Sequence, residues 1–263
     1  MIYFVPEADE QYTALGLDRG MMGYFASRSA AMGAVPADVV VATFYNFEPQ
    51  RVHRVVPEAW RRTSAPSVYE ARLRAVDTAL ARLLGERLHA TDITETAALL
   101  RRICEACRPE GRPLYAGHVA QPWPDAPHLA LWHAITVLRE YRGDGHVAAL
   151  TVGGVSGCEA LVMHAATGVV PAAVLQATRG WSDDAWAAAV DALQRRGWLA
   201  TDGTVTASGR EHRDEIEHRT DDLAAAPWTM LTDAEAEHIA TVGGQLSHTI
   251  RAAGTFGRMP HSD

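Results

Sequence analysis

The sequence predicts a mainly α-helical protein built on an internal duplication, and three observations support this. Ala-rich segments with apolar residues three and four positions apart dominate the chain, for example EALVMHAAT and DAWAAAVDALQRRGW. The segment at 32–43, MGAVPADVVVAT, recurs at 167–178 as TGVVPAAVLQAT, with seven of twelve positions identical. One short stretch, LATDGTVTAS, carries the turn signal of a two-stranded β-hairpin at Asp202-Gly203.

Composition is that of a globular protein. The chain has 263 residues, of which 48% are apolar and 21% charged, enough for one large domain or two domains of about half that size. Its first residues, MIYFVPEADEQY, lack the basic region that precedes the apolar run of a secretory signal. We therefore expect a cytoplasmic protein.

The charged residues restrict the possible chemistry. The chain has no lysine, which excludes Schiff-base catalysis by this protein. Its net charge is -8, so DNA binding requires a locally basic face. Cys104 and Cys107 form a C-x-x-C pair on a helical pattern with no second pair, and we expect them to be small core or boundary residues.

Each copy of the repeated segment predicts the same local structure. A helix precedes Gly33 in the first copy and Gly168 in the second, and a new helix opens at Pro36 and at Pro171. Proline suits the first turn of a helix because the N–H that it lacks would have no partner there.

The two copies differ downstream of this shared start. In the second, the hairpin leads to a long helix, with Ser208 as its expected cap. In the first, Ser64 caps the long helix directly, and the copy is shorter by about the length of the hairpin. The predicted division is a first repeat at 1–110, a helical insert at 111–150 and a second repeat at 151–263.

The second copy, through VDALQRRGWLATDGTVTASGREHRDEIEHRTDDL, resembles the MarR-type winged helix-turn-helix regulators. In that family an L-x-x-RG-L-x-x-x-DGR-x-x-LT-x-G pattern leads from the recognition helix through the wing to a dimerisation helix. The resemblance implies two winged-helix-like repeats related by a pseudo-two-fold, with a small β-hairpin wing in the second. The two-copy pattern also resembles an actinobacterial family. Because MarR-type regulators are homodimers, we expect a monomeric pseudo-dimer or a weak homodimer.

The positions that contact DNA in this family are degenerate in the second copy. The second helix begins with Ser182, Asp183 and Asp184, and two carboxylates offer little to an anionic groove. The wing tip at 201–204 has no arginine. The alternative, a MarR-like DNA-binding regulator, requires a basic face, which Arg51, Arg54, Arg61 and Arg62 would form.

The insert is rich in histidine. His128 and His133 are five positions apart, so on a helix they point roughly 140° from each other and cannot share a metal locally. A second alternative, a His-dependent metal or haem protein, would need tertiary contacts between distant histidines. The RGDG sequence at 142–145 predicts a helix end, with a new helix opening at His146.

Three residues of this region are candidate catalytic groups. Asp144 lies two positions before His146 and can orient its imidazole, although it equally suits the cap of the next helix. His133 is the third candidate, in an acid/base or ligand-orienting role. The candidate ligand-binding residues, each also consistent with core packing, are Phe44, Tyr45, His128, Trp132 and Arg139.

We therefore expect a protein that binds a small aromatic or hydrophobic molecule in a cavity between the repeats and the insert, on a winged-helix scaffold that has lost DNA binding. It would serve as a sensor or as an enzyme of specialised metabolism. No P-loop, G-x-G-x-x-G or G-x-S-x-G motif is present. The sequence does not indicate a cofactor.

Overall fold

A computed structural model describes residues 2–255, and α-helices dominate it. In chain order the α-helices are α1 Pro6–Thr13, α2 Met21–Ser29, α3 Ala37–Phe44, α4 Pro49–Arg62, α5 Ala65–Leu84, α6 Thr91–Ala106, α7 Pro113–Val119, α8 Pro127–Val152, α9 Gly157–Ala165, α10 Ala172–Arg179, α11 Asp183–Arg195, α12 Ala207–Ala225 and α13 Asp233–Ala252. The mainly α-helical prediction is confirmed.

The predicted β-hairpin wing is wrong. Residues 2–255 contain no strand, and the segment between α11 and α12 forms only an isolated antiparallel bridge between Leu199 and Val205. Asp202 holds the turn by accepting hydrogen bonds from the backbone N–H and the hydroxyl of Thr204. A hairpin this short, with no third strand beside it, is too marginal to extend into a ladder.

Contacts divide the chain into two compact units. Unit 1 comprises Met1–Ala34, Glu58–Tyr141 and Ala226–Asp263, and unit 2 comprises Val35–Pro57 and Arg142–Ala225. The division into repeats and insert follows the sequence pattern and not these contacts, and it stays a prediction.

Unit 1 is organised around α5 and α6. The helices α1 and α2 pack on α5, and α13 packs on both α5 and α6. Cys104 and Cys107 are buried free thiols in the core beside α6, as the sequence predicted. Burial raises the pKa of Cys104 to about 12 and that of Cys107 to about 11, so both remain protonated and unreactive.

Unit 2 has its own core, in which α9 packs against α10 and α11. Leu193 is fully buried, and Val155 and Met163 are nearly so. A capping box fixes the start of α9, where the Ser156 hydroxyl accepts from the backbone of Glu159 and the Glu159 carboxylate accepts from the backbone of Ser156. The Ser182 hydroxyl caps α11.

The repeated segments form matching local structures. Gly33 and Gly168 have φ values of 87° and 77°, which glycine adopts most readily, and helices of eight residues follow Pro36 and Pro171. Ser64 caps the twenty-residue α5, as the sequence predicted.

Two helix boundaries differ from the sequence predictions. RGDG does not end a helix, because α8 continues through it for 26 residues. A glycine inside a helix costs about 1 kcal/mol relative to alanine, and burial of the apolar residues Tyr141, Ala149 and Leu150 on either side of RGDG outweighs this. The cap of α12 is also not Ser208, because the backbone N–H of Gly209 donates to the hydroxyl of Thr206.

Within residues 2–255, no single helix is long and apolar enough to cross a membrane. One pair, Pro127–Val152 with Gly157–Ala165, reaches the required length and composition only when combined, across a bend of 99°.

Candidate functional site

Unit 2 contains a cavity of about 340 Å³, which we call the unit 2 cavity. Its walls come from the end of α3, the C-terminal part of α8, the start and body of α9, and the middle of α12. The lining residues are Phe44, Tyr45, Asn46, His146, Val147, Leu150, Val155, Ala160, Leu161, Met163, His164, Arg213, Ile216 and Glu217. A cavity of this size and shape suits a small organic molecule.

Tyr45 is held firmly in the wall of this cavity. It ends α3 with a φ of 55°, and among residues 2–255 it is the one non-glycine residue with a positive φ. Its hydroxyl donates a 2.5 Å hydrogen bond to the backbone oxygen of Val155. Backbone strain of this kind persists only where surrounding contacts over-determine the conformation, and it is concentrated at functional sites.

The imidazole of His146 is oriented by Thr220. His146 Nδ1 lies 2.9 Å from the Thr220 hydroxyl oxygen, and that hydroxyl already donates its proton to the backbone oxygen of Ile216. Nδ1 must therefore carry the proton of the neutral ring, which leaves Nε2 as an acceptor. Burial, together with the charges of Arg142 and Arg213, lowers the pKa of His146 despite the opposing charge of Glu217.

Arg213 and His164 add polar side chains to the wall of the cavity. Neither side chain forms a hydrogen bond or ion pair with another residue in the part of the chain that the structure describes. Glu217, which lies one turn beyond Arg213 on α12, pairs instead with Arg142 at 3.1 Å. Burial, with the charge of Arg213, lowers the pKa of His164, so its ring is neutral near pH 7.

The structure brings together three of the predicted site residues of this region. Phe44, Tyr45 and His146 all line the unit 2 cavity. Asp144 does not, because it lies two positions before His146 on a continuous helix and therefore faces roughly 200° away. Asp144 is buried, and Thr220 rather than Asp144 sets the orientation of the His146 ring.

The remaining predicted site residues of the insert lie in unit 1. Trp132 packs beneath the guanidinium of Arg72, and His133 is fully buried. His128 is near the surface, where its Nε2 lies 2.6 Å from Asp77. Arg139 is half-exposed and pairs with Glu140.

His133 belongs to a buried polar cluster around α5, which we call the unit 1 cluster. It contains Tyr69, Arg72, His118 and His133, with Tyr3 at one side. The Tyr69 hydroxyl lies 3.2 Å from His133 Nδ1, and the rings of Tyr69 and His118 are 6.2 Å apart. Burial, with the nearby charge of Arg72, lowers the pKa of His133 to about 4 and that of His118 well below its usual value.

The arginines required for DNA binding are mostly engaged within the protein. Arg51 donates to the backbone oxygen of Ala177, and Arg61 pairs with Glu58. Arg62 pairs with both Glu58 and Asp18. The fourth, Arg54, is exposed and forms no ion pair with another described residue.

The turns that follow the two repeated sequence segments are hydrogen-bonded to each other inside unit 2. The backbone N–H of Glu48 donates to the oxygen of Arg179 at 3.0 Å, and the indole N–H of Trp181 donates to the oxygen of Asn46. Asp183 and Asp184 then occupy the first turn of α11. These contacts use backbone groups next to the start of α11. In a DNA-binding helix-turn-helix protein, the start of the corresponding helix faces the DNA groove.

Within residues 2–255, no group of three or more His, Cys, Asp or Glu side chains is placed to hold a metal ion. Three histidines of the insert contact three different groups. His128 contacts the Asp77 carboxylate, His133 the Tyr69 hydroxyl and His146 the Thr220 hydroxyl.

Sequence reasoning missed Arg213, His164 and Glu217. A signal for two of them was present, because Arg213, Ile216, Glu217 and Thr220 recur at the spacing of one helix face. Most of the other positions of α12 are also charged or polar, so the sequence predicts a solvent-exposed helix and does not single out this face. Only the fold brings this face of α12 to the same cavity as Tyr45, which lies more than 160 positions earlier in the chain.

The profile of a helix-turn-helix family matches residues 1–257. The chain therefore belongs to this helix-turn-helix family. It matches no curated protein sequence and no solved structure. Family membership agrees with the helix-turn-helix part of the predicted resemblance and does not by itself assign a ligand or a reaction.

Proposed function

We propose that this helix-turn-helix protein binds a small, mainly apolar molecule with one anionic group in the unit 2 cavity. The observation that carries the proposal is an apolar cavity of about 340 Å³ into which unpaired polar side chains project. Arg213 and His164 are half-buried in the cavity wall, so a ligand there can supply the hydrogen-bond partners that no described residue provides.

The anionic group follows from the charges on α12. The guanidinium of Arg213 has no carboxylate partner among the described residues, since Glu217 pairs with Arg142. A planar carboxylate on the ligand matches the guanidinium by two parallel hydrogen bonds. The apolar body of the ligand would then pack against Leu150, Met163 and Ile216.

His146 sets a second requirement on the ligand. Its Nε2 is an unprotonated acceptor, because the Nδ1 proton is committed to Thr220. A ligand hydroxyl or N–H satisfies this nitrogen. An enzymatic role would use the same Nε2 as a general base, with Thr220 fixing the tautomer.

We further propose that the two repeats arose by duplication of one MarR-like unit. In support, both copies have a positive-φ glycine, a proline and an eight-residue helix in the same order. Both also end in a long helix, of 20 residues in α5 and 19 in α12.

A DNA-binding regulator is the second candidate function, and membership of a helix-turn-helix family favours it. The charges oppose it, because Arg51, Arg61 and Arg62 are engaged by partners in the protein. The acidic first turn of α11 would repel phosphate.

Calorimetric titration with naphthoate tests the proposal, because this molecule joins an apolar body to a carboxylate. We expect saturable binding by the wild-type chain. Arg213→Gln should weaken it about tenfold or more, the loss expected for one charge-assisted contact. The control Arg219→Gln should bind as the wild type, since Arg219 is exposed on the same helix and pairs only with Glu215.

The neutral isostere naphthamide separates charge from shape. It should bind more weakly than naphthoate to the wild type and equally to both variants. Equal naphthoate affinity in wild type and Arg213→Gln would contradict the proposal. Tight, salt-dependent binding of duplex DNA that Arg54→Gln abolishes would favour the regulator instead.

A further inference from the structure

We propose that unit 1 holds a second, separate ligand site, for a small carboxylate at the unpaired N–H groups of Arg72. Arg72 lies on α5 and is 1% exposed, which is exceptional for an arginine. The site stands on different residues from the unit 2 cavity and does not depend on the function proposed for that cavity.

The hydrogen bonds of Arg72 leave part of its guanidinium without a partner. Nη1 donates to the backbone oxygen of Ser27 at 2.9 Å, and Nη2 donates to the Tyr3 hydroxyl at 3.1 Å. Nε is buried and has no partner. Each Nη carries two protons, so the Nε N–H and one further N–H on each Nη are left to donate to a carboxylate.

His118 gives a second, independent sign of a missing partner. Its ring is fully buried, and neither Nδ1 nor Nε2 has a hydrogen-bond partner. A neutral imidazole always carries one N–H, so at least one donor of His118 has no partner among residues 2–255. Leaving such a group unpaired costs about 1–3 kcal/mol, and a ligand oxygen removes that cost.

The local charge favours an anion. Glu140 is a buried carboxylate whose charge acts on Arg72, but its two oxygens already accept from Arg28 and Arg139. The Arg72 guanidinium instead lies over the rings of Tyr3 and Trp132, at 5.4 and 5.1 Å from their centroids. Aromatic faces stabilise a cation only partly, and a buried charge normally requires a paired counter-charge.

Two surface cavities border tyrosines of the unit 1 cluster. One, of about 370 Å³, is lined by Tyr69, whose hydroxyl bonds to His133 within the cluster. The other, of about 420 Å³, is lined by Tyr3, which bonds to Arg72. Because Arg72 is buried, entry of a carboxylate requires one of these tyrosine side chains to move.

Titration with sodium acetate, followed by NMR of the Cε1–H signals of His118 and His133, tests the site. Sodium chloride at matched ionic strength and the neutral isostere acetamide are the controls. We expect saturable shifts with acetate only. Arg72→Lys keeps the charge but removes the planar edge, and it should weaken acetate binding at least tenfold.

Two further variants keep the outcome decisive. His118→Asn should weaken acetate binding several-fold even if Arg72→Lys does not fold. Arg213→Gln should leave the acetate shifts of His118 and His133 unchanged, so a failure here is distinct from a failure of the unit 2 proposal. Acetate shifts no larger than those with chloride would overturn the site and indicate that water satisfies these groups.

Discussion

The unit 1 cluster and the unit 2 cavity use the same residue types in opposite surroundings. Both combine arginine, histidine and tyrosine, but the cluster encloses Arg72, His118 and His133 in the interior, whereas Arg213 and His164 border an open cavity. Water can solvate the polar groups of the cavity until a ligand arrives. In the cluster every missing hydrogen-bond partner lowers the stability of the fold. Substitutions in the cluster should therefore change the free energy of unfolding as well as any binding.

The largest expected difference concerns the buried ion pair beside the cluster. Glu140→Gln leaves Arg28 without its carboxylate in the interior of unit 1 and should lower the free energy of unfolding by about 4 kcal/mol. Denaturant unfolding measures the loss. The control Glu105→Gln removes an exposed pair with Arg101 and should change stability by less than about 0.5 kcal/mol. Equal effects of the two substitutions would refute the contrast between buried and exposed charge.

The pH dependence of stability should come mainly from unit 1. Burial lowers the pKa of His133 to about 4 in the folded protein, whereas the pKa in the unfolded chain is about 6.5. As the pH falls below about 6.5, His133 therefore takes up a proton in the unfolded chain before it does so in the folded protein. Stability present above pH 6.5 is therefore lost between pH 6.5 and 4, by about 3 kcal/mol for this residue.

His133→Phe should remove this residue's share of the stability loss in that pH window, while the loss caused by His118 remains, and unfolding at a series of pH values measures it. Carboxylates whose pKa is lowered by ion pairs, such as Glu7 with Arg82, lose their contribution only at lower pH, where the two effects separate. A wild-type profile flat from pH 6.5 to 4 would show that His133 is not held neutral.

Packing around the unit 2 cavity gives the next effect. A Cβ at Gly157 would lie 2.1 Å from the backbone oxygen of Tyr45, so Gly157→Ala should cost about 2–3 kcal/mol of stability and displace Tyr45 from the cavity wall. Thermal unfolding detects the loss. Gly243→Ala, at an exposed and open position of α13, should instead stabilise by about 1 kcal/mol. A neutral Gly157→Ala would mean that the Tyr45 backbone moves freely.

The smallest effect concerns the orientation of His146. Thr220→Val removes the hydroxyl that accepts from Nδ1, at a cost of about 1 kcal/mol. Nitrogen NMR of the ring should show one tautomer in the wild type and a mixture in the variant. Thr249→Val, an exposed change on α13, should leave the His146 tautomer as it is. A mixture already present in the wild type would remove the argument for Nε2 as an acceptor.

Local signals in the sequence predicted local structure well. Apolar periodicity gave the helical class, and the chemistry of Ser64 and Pro36 gave the starts of α5 and α3. The errors arose where a local signal was outweighed by packing, as at RGDG within α8, or lacked support, as at Asp202-Gly203 without a third strand.

The sites were harder to predict, because both depend on contacts between distant segments. Tyr45 and His146 were chosen for their chemistry, and the fold places them at one cavity. Arg213 was not predicted, because the sequence does not distinguish it from the other charged residues of α12.

The burial of Arg72 had a signal in the sequence, because Val68, Tyr69, Ala75 and Val76 lie on the same face of its helix. The burial of His118 had a weaker signal, because Leu114 and Tyr115 precede it by one turn but Gln121 and Pro122 follow it.

The most direct test of the central claim is to locate naphthoate on the protein by NMR. Nuclear Overhauser contacts between the naphthoate protons and the methyl groups of Leu150 and Ile216, with shifts of the His146 and His164 signals, are the expected result. Contacts confined to other surfaces, or none at saturating naphthoate while duplex DNA shifts the signals of α4 and α11, would contradict it.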